Sequence, residues 1–158
     1  MKTAYLMGEH PTWPARGAAV VGLTARDGIR FRAKRQFPPG SAKHDGALRA
    51  AVGWLGLTHQ VTGCQGSSKG FSLLRGWLPA YPETTGYVLG TLLEYAARTG
   101  EDGWVRDAVD MGDWEITVRR DDGGVVEGAV GTIDRSVVFN TGMVLHGWRK
   151  APFRIHRD

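Results

Sequence analysis

Two stretches with helical spacing of apolar residues meet across only four residues, Thr99-Gly100-Glu101-Asp102. On one side Val88, Leu89, Leu92, Leu93, Tyr95 and Ala96 recur every three or four positions. On the other, Trp104, Val105, Ala108, Val109, Met111 and Trp114 do the same. Gly100 stands where a helix stops in the left-handed conformation, and Glu101 and Asp102 suit the positive end of the next helix. A connection this short cannot cross over another element, so the two helices must fold back on each other as an antiparallel pair. That constraint predicts a mainly α chain built of antiparallel helical hairpins.

The same spacing predicts two more helices. Leu48, Ala51, Val52, Leu55 and His59 define one over about 45–60, with Asp45 as N-cap. The helix ending at Thr99 is expected to start near Thr84 or Thr85 as N-cap, and the next to run to about Val118. A last helix starts at Asn140 or Thr141 and continues through Val144, Leu145 and Trp148 until Pro152 stops it. Residues 1–44 read differently. Pro11, Pro14, Pro38 and Pro39, with short alternating stretches at 18–24 and 28–33, predict a loop-rich or short β arm ahead of a helical domain over 45–158. The loops also repeat: WLGLTHQVTGCQG from Trp54 to Gly66 is echoed by WEITVRRDDGG from Trp114 to Gly124, a period that suits stacked helical hairpins.

At 158 residues the chain suits one domain. Its net charge of +4 is uneven, with eight Lys or Arg in residues 1–44 against Glu9 and Asp27. Ile29, Phe31 and Phe37 interleave with those charges, which reads as a solvated strand face and argues against a nucleic-acid partner. No apolar run reaches 18 residues and no secretory core precedes Gly8-Glu9-His10-Pro11, so we expect no membrane insertion and a cytoplasmic location. A single Cys64 agrees with a reducing compartment. His10, His44, His59, His146 and His156 show no metal-ligand spacing, and Ser67-Ser68 lacks a Gly-x-Ser-x-Gly frame, so neither metal nor cofactor nor serine nucleophile is expected.

The chemistry-bearing residues concentrate in Tyr81-Pro82-Glu83-Thr84-Thr85-Gly86-Tyr87, at a helix start where free N–H groups and a partial positive charge favour oxygen-rich ligands. Glu83 is the candidate catalytic carboxylate; the helix start favours its ionised form, which suits a base or a hydroxyl acceptor better than an acid. Its structural alternative is to stabilise the helix dipole while Thr84 or Thr85 caps the turn. Tyr81 and Tyr87 offer apolar rings with polar rims for stacking on sugars, and Tyr87 could equally be core. Asp122, the second candidate catalytic carboxylate, and Asp121 precede two glycines, where they bind sugar hydroxyls or only make a turn. Asn140 and Thr141 either cap the last helix or join Glu83 at a cleft rim. Hydrolysis of a glycoside would need two carboxylates roughly 5–9.5 Å apart.

Taken in order, YPETTGY, the helix end Arg98-Thr99-Gly100, Asp113-Trp114, Asp122-Gly123-Gly124 and Phe139-Asn140-Thr141-Gly142 resemble the (α/α) toroid proteins of the six-hairpin glycosidase-like superfamily. The likeness covers about residues 45–148. It is strongest to members from bacterial exopolysaccharide-biosynthesis clusters, often labelled squalene-cyclase-like or prenyltransferase-like. It implies a ring of inner and outer helices whose loops at one end line a cleft for an oligosaccharide or polysaccharide. The chain has Cys64-Gln65-Gly66 where such proteins carry a first Asp-Gly-Gly, and Arg119 where a Gln commonly precedes the second.

Six hairpins of this size need roughly 300 residues or more. About two are present, so the expectation is either the N-terminal part of a longer toroid or a small relative that self-associates through an exposed repeat edge. Three functions stay open: a carbohydrate-active or carbohydrate-binding toroid segment, an isoprenoid-processing toroid, and a non-catalytic truncated interaction module.

Overall fold

A computed structural model of the chain describes residues 38–151. The arm strands expected at 18–24 and 28–33, and Pro152 as a helix stop, lie outside the described residues. Within them the order is α1 (Ala42–Gln60), β1 (Phe71–Ser72), β2 (Gly76–Trp77), α2 (Pro82–Thr99), α3 (Gly103–Thr117) and α4 (Val138–Trp148), and the four helices hold more than half of the residues. No helix among the described residues is long and apolar enough to cross a membrane.

The expected helices are present, but their starts differ. Ser41, not Asp45, caps α1: its Oγ accepts from the His44 N–H at 3.3 Å, which moves residues 42–44 out of the arm and into the helix. Helix α2 opens at Pro82, ahead of Thr84 and Thr85, because proline at the first helical position has its φ preset and no N–H to lose. Helix α4 opens at Val138, so Asn140 and Thr141 lie inside its first turn and do not cap it. Gly100, at φ 75°, ends α2, and its N–H bonds to the Ala96 carbonyl. The small β hairpin was not expected; Phe71 faces Trp77 and Ser72 faces Gly76. Two-residue strands are too short to show alternation, and the hairpin is held by rings, Trp77 lying 4.8 Å from Trp54 and 5.2 Å from Phe71.

Val52, Val88, Leu89, Leu92, Tyr95, Ala108 and Met111 form the core, with Leu48, Leu55, Leu93, Trp104 and Trp148 packed around it. Helices α2 and α3 are the antiparallel pair that the short turn demands, with the Tyr95 and Trp104 rings edge to face at 6.1 Å beside that turn. Helix α4 runs parallel to α2, since Asn140 meets Tyr81, Met143 and Gly147 meet Gly86, and Lys150 meets Glu94 in the same order along both. At the crossing the backbones nearly touch. A Cβ added to Gly86 would lie 2.5 Å from the Met143 carbonyl oxygen, and one added to Gly147 would lie 2.5 Å from the Gly86 carbonyl oxygen.

An internal repeat is built into the hydrogen bonds. After α1 the chain reaches Ser67, whose carbonyl accepts from Tyr81 N–H at 2.9 Å and whose N–H donates to Thr85 Oγ1 at 2.8 Å. After α3 it reaches Val125, whose carbonyl accepts from Val137 N–H at 3.1 Å and whose N–H donates to Thr141 Oγ1 at 3.0 Å. Each threonine hydroxyl donates back one turn, to Tyr81 O and Val137 O. One residue further out, both ladders carry an antiparallel bridge, Ser68 with Ala80 and Val126 with Ser136. Thus α1 corresponds to α3 and α2 to α4, with Thr85-Gly86-Tyr87-Val88-Leu89 matched by Thr141-Gly142-Met143-Val144-Leu145. The tryptophans that first suggest the repeat differ in setting: Trp54 is exposed, whereas Trp114 packs over Gly66.

The matched glycines make a test. Gly86→Ala should destabilise the fold by about 2–3 kcal/mol, because backbone and not a pliable side chain blocks the new methyl. Gly142→Ala, with nothing near it among the described residues, should stabilise it by about 0.5–1 kcal/mol. Denaturant unfolding at low protein concentration reads both. Equal effects at the two sites would contradict the packing described.

Candidate functional site

The two glycine-rich loops and the starts of α2 and α4 share one end of the molecule, because each ladder ties its loop to the first turn of the following helix. Neither helix start has a side-chain cap, so the first-turn N–H groups remain directed outward from that end. Both loops shape open depressions. One, of about 370 Å³, is lined by Val61, Thr62, Gln65, Trp77, Leu78, Pro79 and Ala80. The other, of about 390 Å³, is lined by Arg120, Asp121 and Asp122.

Tyr81, Glu83 and Asn140 are brought together here from the two repeat units. Asn140 Nδ2 donates to Val126 O at 2.9 Å and reaches the Tyr81 hydroxyl at 3.4 Å. That hydroxyl also faces the Glu83 carboxylate and the Gly128 N–H. Burial first, and then Glu83, push the Tyr81 phenol above its ordinary value, so it stays a proton donor. Lys69 places its Nζ 5.0 Å over the Tyr81 ring. A carboxylate, a phenol, an amide and an ammonium thus stand at the junction of two helix starts. Asn140 is buried and Glu83 half-buried.

The other candidates are placed differently. Thr85 is wholly buried, and its hydroxyl is spent on Ser67 N–H and Tyr81 O; Thr141 plays the same part in the second unit. Both position the site. Thr84 is half-buried beside Glu83, and Tyr87 is exposed one turn further along α2. Asp122 accepts from Gly124 N–H at 2.8 Å and from the Ser136 hydroxyl at 3.0 Å, with Arg120 alongside; these, Gly124 foremost, hold its carboxyl below the ordinary range. Its oxygens therefore anchor the Arg120 to Ser136 loop, where Arg120 also pairs with Asp134. Asp121 is exposed at the rim. Glu83 and Asp122 belong to separate hydrogen-bond networks. No group of three His, Cys, Asp or Glu among the described residues is arranged to hold a metal ion.

Two buried polar residues, His59 on the inward stripe of α1 and Glu115 on that of α3, lie outside the candidate site. His59 Nδ1 lies 3.0 Å from Gly66 O, and since a carbonyl only accepts, Nδ1 carries the proton. Glu115 is fully buried, its Oε2 accepting from Trp148 Nε1 at 2.6 Å and its Oε1 lacking a partner. It falls on the buried stripe of α3, seven residues after Ala108 and four after Met111, so helical spacing places it inward although its charge argues for solvent, and Trp148 from α4 meets it there.

Comparison with protein-family models, with curated proteins and with solved structures returned no match.

Burial pushes the Glu115 carboxyl up to about 9 from an ordinary 4.5, so it is a neutral acid near pH 7. The unfolded chain releases this proton near 4.5 and the folded chain near 9. Stability is therefore undiminished below the lower value and falls progressively as pH rises toward the higher one. Glu115→Gln should flatten that fall and exceed the unsubstituted protein by about 2–4 kcal/mol at pH 8, the two converging near pH 4. Unfolding curves measured across this range check it, and parallel pH profiles for the two proteins would refute a buried neutral acid.

Proposed function

We propose that this chain is a carbohydrate-binding protein of the (α/α) toroid kind, cytoplasmic and connected with polysaccharide metabolism, whose ligand seats at the shared end of α2 and α4. The observation that carries this reading is the meeting of Tyr81, Glu83 and Asn140 across two equivalent helix starts. A toroid is what a repeat of this kind builds when parallel inner helices pack side by side and each loop returns to the same end. The hydrogen-bonded repeat and the parallel α2 and α4 support it.

The chemistry of the site suits a sugar. Glu83 accepts hydrogen bonds from hydroxyls, the first-turn N–H groups and Lys69 donate to sugar oxygens, and Tyr81 keeps its proton as a further donor. Trp77 and Phe71 provide apolar ring faces on the neighbouring loop. Asp121 and Asp122 extend the polar rim. If the protein is also an enzyme, Glu83 is the proton acceptor that an epimerase-like step on a bound sugar would use, while a glycosidase-like step would need a second carboxylate besides it. We regard binding as the primary role, because Asp122 is engaged in holding its own loop.

Calorimetric titration of the purified chain with neutral and uronic-acid oligosaccharides, and in parallel with prenyl diphosphates, tests this. Sugar binding is expected, and Glu83→Gln should weaken it about tenfold or more, as the loss of a charge-assisted hydrogen bond does. Asn140→Ala should weaken it less, by freeing Tyr81. Sugar binding indifferent to Glu83→Gln would sink the site assignment, and binding of prenyl diphosphates alone would favour the isoprenoid alternative.

A further inference from the structure

Helix α4 carries an unfilled copy of the notch into which it is itself packed. On α2, Gly86 admits α4 until an added Cβ would lie 2.5 Å from Met143 O and 3.0 Å from Val144 Cα. On α4 the corresponding residue is Gly142, and among the described residues nothing lies within 4 Å of a Cβ placed there. Near it α4 exposes Val138, Phe139 and Leu145, with relative exposures of 90%, 55% and 55%. Such a face at the end of a repeat has the shape and polarity of an interface that the next unit would cover.

The complementary edge lies on α2 of the same chain. Met143 and Gly147, which seat α4 on Gly86, correspond to Tyr87 and Thr91 of α2, and both of these are exposed. Charge agrees as well. Glu94 and Lys150 pair between α2 and α4 within the chain and occupy corresponding positions in the two units. At a contact between copies their order reverses, and the signs remain opposite.

We propose that the Gly142 face of α4 receives the Tyr87–Thr91 edge of α2 from a second copy of this chain, repeating the internal contact of α2 with α4 between molecules. The contact is heterologous, so successive copies follow one another head to tail and end in a closed ring or an open filament. It is carried by helix packing and stands independently of the carbohydrate reading. Thr91 occupies the position of Gly147, where a Cβ would meet the facing carbonyl, so the intermolecular contact is wider there than the internal one.

Sedimentation velocity over a concentration series of the purified chain reads the association, with circular dichroism confirming that each variant is folded. The unsubstituted chain should gain mass with concentration. Gly142→Leu, which fills the notch, and Thr91→Arg, which blocks the edge, should each stay monomeric. Mixed together, these two should form a one-to-one dimer, because each retains the surface the other lacks. Thr91→Gly should associate with a dissociation constant about tenfold lower. Val138→Glu on the same face of α4 serves as a second block to the notch should Gly142→Leu not fold. A monomer at every concentration overturns the proposal, as does a mixture that yields no dimer. Continued self-association of Thr91→Arg also overturns it, since that would show a two-fold contact between like faces.

Discussion

The approach of α2 and α4 at Gly86 sets the geometry on which the rest of the molecule depends. With no side chain on Gly86 or Gly147, the two backbones come into contact, and the packing of Val88, Leu89 and Leu92 around that crossing leaves little freedom for the angle between the helices. Because the helices run parallel, their first turns lie side by side, which is how Asn140 reaches Tyr81. The antiparallel α3 covers another side of α2, and its Ala108 and Met111 complete the core.

The loops are held to that frame by polar bonds that would be costly to break, since they are buried. Ser67 and Ser68 are almost wholly enclosed, with Ser67 Oγ 2.7 Å from Thr58 Oγ1 and Ser68 Oγ donating to Leu78 O at 2.6 Å. The two threonines at the helix starts each satisfy one loop N–H and one helix carbonyl. A long glycine-rich segment is thereby returned to the same end of the molecule in both units. The candidate site is a consequence of this arrangement: charged and aromatic groups from loops far apart in sequence are presented beside two uncapped helix starts.

Much of this was legible in the chain, and the failures have identifiable causes. Apolar spacing located the four helices of the described residues because their buried faces recur at the helical period. The starts were misplaced where a good capping residue was available but unused. Thr85 and Thr141 have the chemistry of N-caps, yet both are drawn into bonds with a ladder strand that sequence spacing does not reveal. At α2, Pro82 supplies a helix start without any side-chain cap. Glu83 and Tyr81 were recognisable as a site because they lie in one segment. That Asn140 joins them, while Asp122 is engaged with Gly124 and Ser136, depends on contacts between units. Glu115 shares the inward stripe of Ala108 and Met111, but an acid is ordinarily solvated, so its residue type argues against what its spacing indicates, and that Trp148 meets it depends on α4.

The sequence by itself determined the local order: helices where apolar residues recur, a reversal at Gly100 because the connection is too short for anything else, and a polar cluster at the start of α2. These follow from interactions a few residues apart, whose geometry is the same in any fold. Only the tertiary structure decided that α4 lies parallel on α2, that Gly86 is filled while Gly142 is open, and that Glu115 is a neutral buried acid. Those outcomes depend on which surfaces meet, and chemically similar segments such as Thr85-Gly86 and Thr141-Gly142 acquire different roles solely from the neighbour each one has.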